Sequence, residues 1–188
     1  DAKHEFAKKH WMSWAAGSDR YGVPFVLFRA GTSDPAGLAR EVGNGDADVF
    51  MERYLRVTET VMERMYAVGA EDAGIIELND LRESSAVPNY FARAYASVPY
   101  FAANAKVLDN YYPERIRKVY IVGLPSVIQL VWRLVQPFIP SETKKKLHVW
   151  YPSEQDAWVA KIAEEIPMER FPAYLGGKDD ASEVLFGG

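Results

Sequence analysis

The chain has 188 residues, 48% hydrophobic, 26% charged and 13% aromatic, enough to close one sizeable core and too apolar for wholesale disorder. It has no cysteine, which excludes disulfides, thiolate metal sites and thiol nucleophiles. Its net charge of -4 excludes a uniformly basic coat for nucleic acid. The opening Asp1-Ala2-Lys3-His4-Glu5 is not a signal peptide and reads as mid-protein sequence, so the chain is expected to be an excised piece of a longer one.

In chain order, residues 3–15 read as a helix with Phe6, Trp11 and Trp14 apolar, ended near Gly17. Ser18-Asp19-Arg20-Tyr21-Gly22 reads as a turn, and Pro24-Phe25-Val26-Leu27-Phe28 as a buried strand. Residues 30–45 hold four glycines and read as loop or short helix. Residues 46–69 are the clearest amphipathic helix: Phe50, Tyr54, Val57, Val61, Met65 and Val68 recur at spacings of three and four, and Gly69 stops the run. A second strand follows at 74–78. Residues 85–110 are helical, with a kink or break forced by Pro99. A third strand is expected at 118–122, a helix opened by Pro125 over 125–138, and a fourth strand at 147–150. Ser153-Glu154-Gln155-Asp156 reads as a capping box opening a helix to about residue 165. Helices alternating with short apolar strands predict an α/β domain with a largely parallel sheet.

Charge is unevenly spread. Between residues 111 and 150 the seven cations Arg115, Arg117, Lys118, Arg133, Lys144, Lys145 and Lys146 face two anions, Glu114 and Glu142, for a local net charge of +5. Such a stretch on an acidic protein fits an anionic partner at one place, or a solvated face with none. Positive signs of catalysis are missing: no nucleophile elbow, no phosphate-binding glycine loop, and three histidines, His4, His10 and His148, at no metal-ligand spacing. Asp179-Asp180 reads as part of a solvated tail.

One helix is unusual. From 126 to 139 the polar residues are Ser126, Gln129, Arg133 and Gln136, spaced three, four and three apart as one narrow stripe. The rest of the circumference is apolar, whereas a surface helix normally shows a wide polar face. At ~1.5 Å per residue it is only about 20 Å long, too short to span a bilayer. It is either buried on all sides or packed on protein by one face and exposed to lipid on the other.

The run Asn110-Tyr111-Tyr112-Pro113-Glu114-Arg115-Ile116-Arg117-Lys118-Val119-Tyr120-Ile121-Val122 resembles the Y-Y-P-E-R-x-x-K-x-Y-I signature of the CRAL-TRIO lipid-binding domain family, closest to its fungal-type phosphatidylinositol/phosphatidylcholine transfer proteins. Asp19-Arg20-Tyr21-Gly22-Val23-Pro24 is similar to the family's D-x-x-G-R-P turn and Ile75-Ile76-Glu77-Leu78 to its I-x-D-L strand. Residues 125–140 resemble its gate-helix segment, and Pro172-Ala173-Tyr174-Leu175-Gly176-Gly177 its L-P-x-x-x-G-G ending. The resemblance covers nearly all of the chain.

The resemblance implies an α/β fold: a mostly parallel sheet floor, helices around a hydrophobic lipid cavity, and a gate helix. Residues 1–17 would be the end of a truncated N-terminal helical subdomain, 18–178 the lipid-binding domain and 179–188 a C-terminal tail. By position, Glu114 and Lys146, with Thr143 beside it, would hold the lipid headgroup, and Val127, Ile128, Val131, Leu134, Val135 and Phe138 would form the gate and touch acyl chains. A lysine is a compact phosphate-binding charge and a carboxylate accepts inositol hydroxyls. The alternatives are that Glu114 is a structural helix cap or an ion-pair partner of Arg117 or Lys118, and that Lys146 is one of three solvated lysines.

The function implied is that of a carrier, not an enzyme. It would hold a single phospholipid, phosphatidylinositol or a related phosphoinositide, and move or present it between membranes. Alternatives are a carrier of a tocopherol, retinoid or sterol, or a lipid-sensing module of a larger signalling protein. No metal, no cofactor beyond the bound phospholipid, no nucleic acid, a monomeric state, a cytoplasmic location and transient peripheral membrane contact are expected with it. One departure bears on ligand choice. Where the family has D-L-K-G-x-S-x-S, this chain reads Glu77-Leu78-Asn79-Asp80-Leu81-Arg82-Glu83-Ser84, with Asp80 for the glycine and Arg82 for the first serine. Those serines belong to the choline-lipid site in the fungal protein.

Overall fold

Period-two alternation in short apolar runs builds the centre of the molecule. In the computed structural model, which describes residues 2–11, 13–43, 45–82, 88–112, 114–139 and 141–180, five strands form one sheet. They are β1 (Ser13–Ala16), β2 (Phe25–Phe28), β3 (Ile75–Asp80), β4 (Ile116–Val122) and β5 (Leu147–Val149). Spatial order equals chain order; β1 pairs antiparallel with β2 and the other neighbours are parallel. β1 corrects the expected helix over 3–15. Helix α1 (Ala2–His10) stops, and Ser13–Ala16 pairs with β2 instead. An expected boundary between residues 17 and 18 therefore falls within a hairpin of the sheet. At the other end Asp179 is bridged to Pro172 and its carbonyl accepts the Ala173 N–H at 3.0 Å, so the expected tail starts inside a closed turn; residues 181–188 lie outside the described residues.

Sequential strand order has a geometric result. Parallel crossovers are right-handed, so crossovers that all step the same way place their helices on the same face. That face carries α3 (Asp46–Ala67), α4 (Tyr90–Ala96), α5 (Val98–Tyr111), α6 (Gln129–Val135) and α7 (Ser141–Lys145), with α1 and α2 (Pro35–Val42) at its edge. The opposite face is covered by α8 (Gln155–Ala163) and the segment after it. There Trp158, Ile162, Ile166, Phe171 and Leu175 pack on Trp14, Leu27, Ile76, Leu78 and Tyr120.

The helices follow local rules. α3 turns Phe50, Tyr54, Val57, Val61 and Met65 to the interior as its spacing predicts, with Val49 beside them, whereas Val68 lies just past the helix end and is exposed. α2 starts with Pro35 in its first turn, and Asp34 Oδ1 accepts the Gly37 N–H at 3.0 Å. The helix predicted around Pro99 is two helices joined at Ser97, with Pro99 in the first turn of α5; residues 85–87 lie outside the described residues. The box before α8 sits two residues earlier than predicted, with Glu154 Oε2 accepting the Tyr151 N–H at 2.7 Å.

The turn before β2 is rigid. Asp19 Oδ1 accepts the N–H groups of Tyr21 and Val23 at 2.9 and 3.0 Å, and Gly22 holds a φ of 81° that a side chain would strain. One extra residue on β4, Arg117, breaks the register with β3: Ile75 faces Ile116 and Ile76 faces Lys118. This bulge turns the Arg117 guanidinium to Asp19 and, at 2.5 Å, to Glu165, which also pairs with Arg20 at 3.2 Å. The turn, β4 and the end of α8 are thereby clamped together.

Candidate ligand cavity

Between the sheet and the helices on its crossover face lies a cavity of about 160 Å³. Its floor is Val26 and Phe28 of β2, Glu77 and Asn79 of β3, Val119 and Ile121 of β4, and Leu147 of β5. Phe50 and Tyr54 of α3 and Phe101, Asn104 and Ala105 of α5 form one wall, and Tyr90 and Ala94 of α4 another. Ile128, Val131, Trp132, Val135 and Ile139 form the roof.

The roof is the segment with the unusual sequence, and it is three pieces: a 3-10 turn Ser126–Ile128, helix α6, and a second 3-10 turn Gln136–Phe138. This replaces the single helix predicted over 125–138. Pro137 lacks an N–H, so the α-ladder is not continued through it. The residues expected to act as the gate divide between two faces. Ile128, Val131 and Val135 line the cavity. Val127, Leu134 and Phe138 do not: with Leu130 they point outward, at 52, 41, 51 and 59% exposure. The roof is thus apolar both inside and outside, and the exposed Arg133 lies between the outward residues.

The expected headgroup residues gather around the start of β4. Thr143 of α7 lines the cavity, and its carbonyl accepts the Lys146 N–H at 3.0 Å. Lys146 Nζ donates to the Ile116 carbonyl at 2.7 Å, so it is not one of three solvated lysines. Glu114 is exposed, with a positive φ of 61° in the turn two residues before Ile116. Neither Glu114 nor Lys146 lines the cavity itself. Pro113 of the signature lies outside the described residues.

The expected basic region is not one patch. Arg117 is held by Asp19 and Glu165, Lys145 by Glu142 at 2.7 Å, and Arg115 donates to the Glu71 carbonyl at 3.3 Å. Arg133 and Lys144 are exposed. The Asp80 and Arg82 departures form a unit of their own. Arg82 Nε and Nη2 each reach an Asp80 carboxylate oxygen at 2.9 Å, and Nη1 reaches the Tyr174 carbonyl at 3.0 Å. Glu83 and Ser84 lie outside the described residues.

The sequence pattern did not single out the most polar feature of the cavity. Glu77, on the middle strand, lies between Val26 and Val119 of the neighbouring strands and is buried. Tyr54 Oη donates to Glu77 Oε1. Burial pushes the Glu77 carboxyl above its ordinary range, against the lowering effect of that hydrogen bond. Burial and the adjacent Glu77 push the Tyr54 phenol well above its own. Asn104 also lines the cavity, and its Oδ1 is buried with no hydrogen-bond partner among the described residues. The one signal for this group was a lone acid inside an apolar strand run, Ile75-Ile76-Glu77-Leu78. Among the described residues there is no cluster fit to hold a metal ion, and no helix long and apolar enough to cross a membrane.

Comparison with known proteins accounts for this architecture. The SEC14 cytosolic factor of Candida glabrata is 31% identical over 94 residues, which is 50% of this chain and 30% of that protein. The phosphatidylinositol/phosphatidylcholine transfer protein SFH9 of Arabidopsis thaliana is 23% identical over 180 residues, 93% of this chain and 29% of that protein. This chain therefore spans less than a third of either. The crystal structure of Sfh5 superposes with a TM-score of 0.52 over 76% of this chain and 48% of that one, at 16% identity, a likeness of fold. The CRAL/TRIO domain profile matches residues 8–177, taking in the sheet, the cavity and the roof together, and the chain belongs to the CRAL/TRIO domain family.

Proposed function

We propose that the chain binds a single phospholipid, of the phosphatidylinositol class, and transfers or presents it between membranes without a chemical step. The observation that carries this reading is the roof: apolar toward the cavity and apolar toward solvent, with a cation in its outer face. A helix so composed gains from lipid on either side, from acyl chains within or from a bilayer without. Arg133 and Lys144 favour an anionic surface by up to about 1 kcal/mol each.

The cavity volume adds a mechanism. A cavity of 160 Å³ is of the size that takes a benzene, far below a lipid with two acyl chains. Loading requires the roof to move outward, and the membrane-facing residues Val127, Leu130, Leu134 and Phe138 supply the contact that compensates for the exposed cavity. The headgroup would then rest at the rim, where Thr143, Lys146 and Glu114 cluster. Lys146 supplies a charge-assisted bond to phosphate, and Glu114 accepts inositol hydroxyls. The Arg82–Asp80 pair occupies the stretch where the family's choline-site serines stand, so phosphatidylcholine is the poorer ligand. Work at a cytoplasmic membrane surface, as a monomer, with the lipid as its one bound group, completes this reading.

The test is transfer of labelled phosphatidylinositol from donor to acceptor liposomes, with phosphatidylcholine measured in parallel. Native mass spectrometry of the purified protein should show one phospholipid per chain. Absence of transfer and of bound phospholipid would overturn the reading.

A further inference from the structure

A strand at the end of a sheet turns one row of its peptide groups away from every other strand, and this sheet has two such ends. At β1 the row is closed by the fold itself. The Ser13 N–H donates to the Trp11 carbonyl at 2.9 Å, Arg53 Nη2 donates to the Ser13 carbonyl, and the whole of β1 is buried. β5 is different. Its residues are half-buried, and no strand lies beyond it among the described residues.

The bonds that β5 makes with β4 fix which of its groups face outward. The Lys146 carbonyl accepts the Val119 N–H at 3.0 Å, the Trp150 N–H donates to the Ile121 carbonyl at 2.9 Å, and the Trp150 carbonyl accepts the Leu124 N–H at 2.9 Å. Lys146, Trp150 and His148 between them therefore turn their peptide groups toward β4. Alternate residues of a strand turn theirs the other way, so the N–H and C=O groups of Leu147 and Val149 point out from the sheet. Neither a proline nor a bulge interrupts this row.

The side chains around the row select what can join it. Residues 143–151 hold Lys144, Lys145 and Lys146 and no acid. Lys145 pairs with Glu142 at 2.7 Å, and Lys144 is exposed. On the α8 face His148 and Trp150 stack with ring centroids 5.8 Å apart. Burial, and after it the nearby cations Lys118 and Lys161, hold the His148 imidazole below its ordinary range. Lys161 also pairs with Glu164 at 2.6 Å. On the opposite face Leu147 and Val149 are apolar. One side of the edge thus favours carboxylates and the other favours hydrocarbon.

We propose that the free edge of β5 is a docking site for an acidic segment of a partner protein, which adds to the sheet as a further strand with carboxylate and apolar side chains in alternation. Its main chain bonds Leu147 and Val149. Its carboxylates fall on the His148 face, toward Lys118 and Lys161, and its apolar side chains lie beside Leu147 and Val149. The site is separate from the lipid reading and does not depend on it.

The probe is an acetylated peptide of alternating glutamate and valine, titrated into the purified chain by calorimetry, with backbone amide exchange followed by NMR. The Leu147 and Val149 amides should exchange quickly in the free protein and about tenfold more slowly with the peptide bound. The same peptide with lysine for glutamate should bind about tenfold more weakly. N-methylation of all the valines, or of all the glutamates, gives the sharper comparison. Only one of these two sets of amides can face β5, so one methylated peptide should lose binding and the other should keep it within about twofold. Val149→Pro removes an outward N–H at a position where an edge strand accepts proline, and should weaken the peptide about tenfold. Where that variant fails to fold, the methylated pair decides. Slow exchange of the Leu147 and Val149 amides in the free protein would show an edge already covered, by a second copy or by this chain, and would overturn the proposal. Equal effects of the two methylations, peptide binding that leaves these amides unprotected, or protection by anionic liposomes and not by the peptide would overturn it as well.

Discussion

Lys146 is the residue on which the headgroup assignment turns. Its ammonium already has one partner, the Ile116 carbonyl at 2.7 Å, which holds it beside the β4 turn rather than loose in solvent. An ammonium has three donors, so one backbone bond leaves two for a phosphate. Lys146→Ala should weaken phosphatidylinositol binding by about 1.5–3 kcal/mol, the range for a hydrogen bond to a charged group, read in a liposome-binding titration. Unchanged binding would remove Lys146 from the site. Glu77 makes a different kind of prediction. Its folded-state pKa is raised, so the folded protein binds the proton more tightly than the unfolded chain does. The stability this gives is fully present below the ordinary value of 4.5 and is lost as pH rises through the raised value. Glu77→Gln cannot ionise and keeps an acceptor for Tyr54. Its melting temperature relative to wild type should therefore be higher at pH 8 than at pH 5, and an equal difference at both would show that Glu77 titrates normally.

At the scale of elements, the roof divides its own mutations into two sets. Asp at Val127 or Leu134 points to solvent and should leave the fold intact while abolishing association with anionic liposomes. Asp at Val131, which is 5% exposed and faces the cavity, should cost about 3–5 kcal/mol, or roughly 10 °C of melting temperature in a domain of this size. Normal liposome binding by Val127→Asp and Leu134→Asp would refute the outer face as a membrane contact. Much of this was legible in the sequence. The strands β2 to β5 are apolar runs with turn residues at their ends, and α3 shows its buried face in its spacing. β1 was not legible, because Ser13-Trp14-Ala15-Ala16 has two alanines that suit a helix; only pairing with β2 makes it a strand. The two-sided roof was visible as composition, but which residues face inward was not, since Pro137 and the two 3-10 turns change the angular step between neighbours. The Glu77–Tyr54–Asn104 group was hidden for a further reason: its members are separated by 23 and 27 residues, and only the crossover brings them together.

For the whole molecule, one feature of the sheet has a consequence for synthesis. Each new strand is laid beside the one before it, so the sheet grows at one edge as the chain leaves the ribosome, and no strand has to be inserted between two already paired. The helices of the cavity face are added in the same sequence, each with its own strand. The other face has no such provision. Trp14, Leu27, Ile76, Leu78 and Tyr120 are all in place before their cover, which arrives only with residues 155–175. A nascent chain halted after β5 would present a broad apolar sheet surface to its neighbours. Chains truncated before residue 155 should therefore be recovered in the insoluble fraction and retained by chaperones, whereas chains ending just after residue 180 should not.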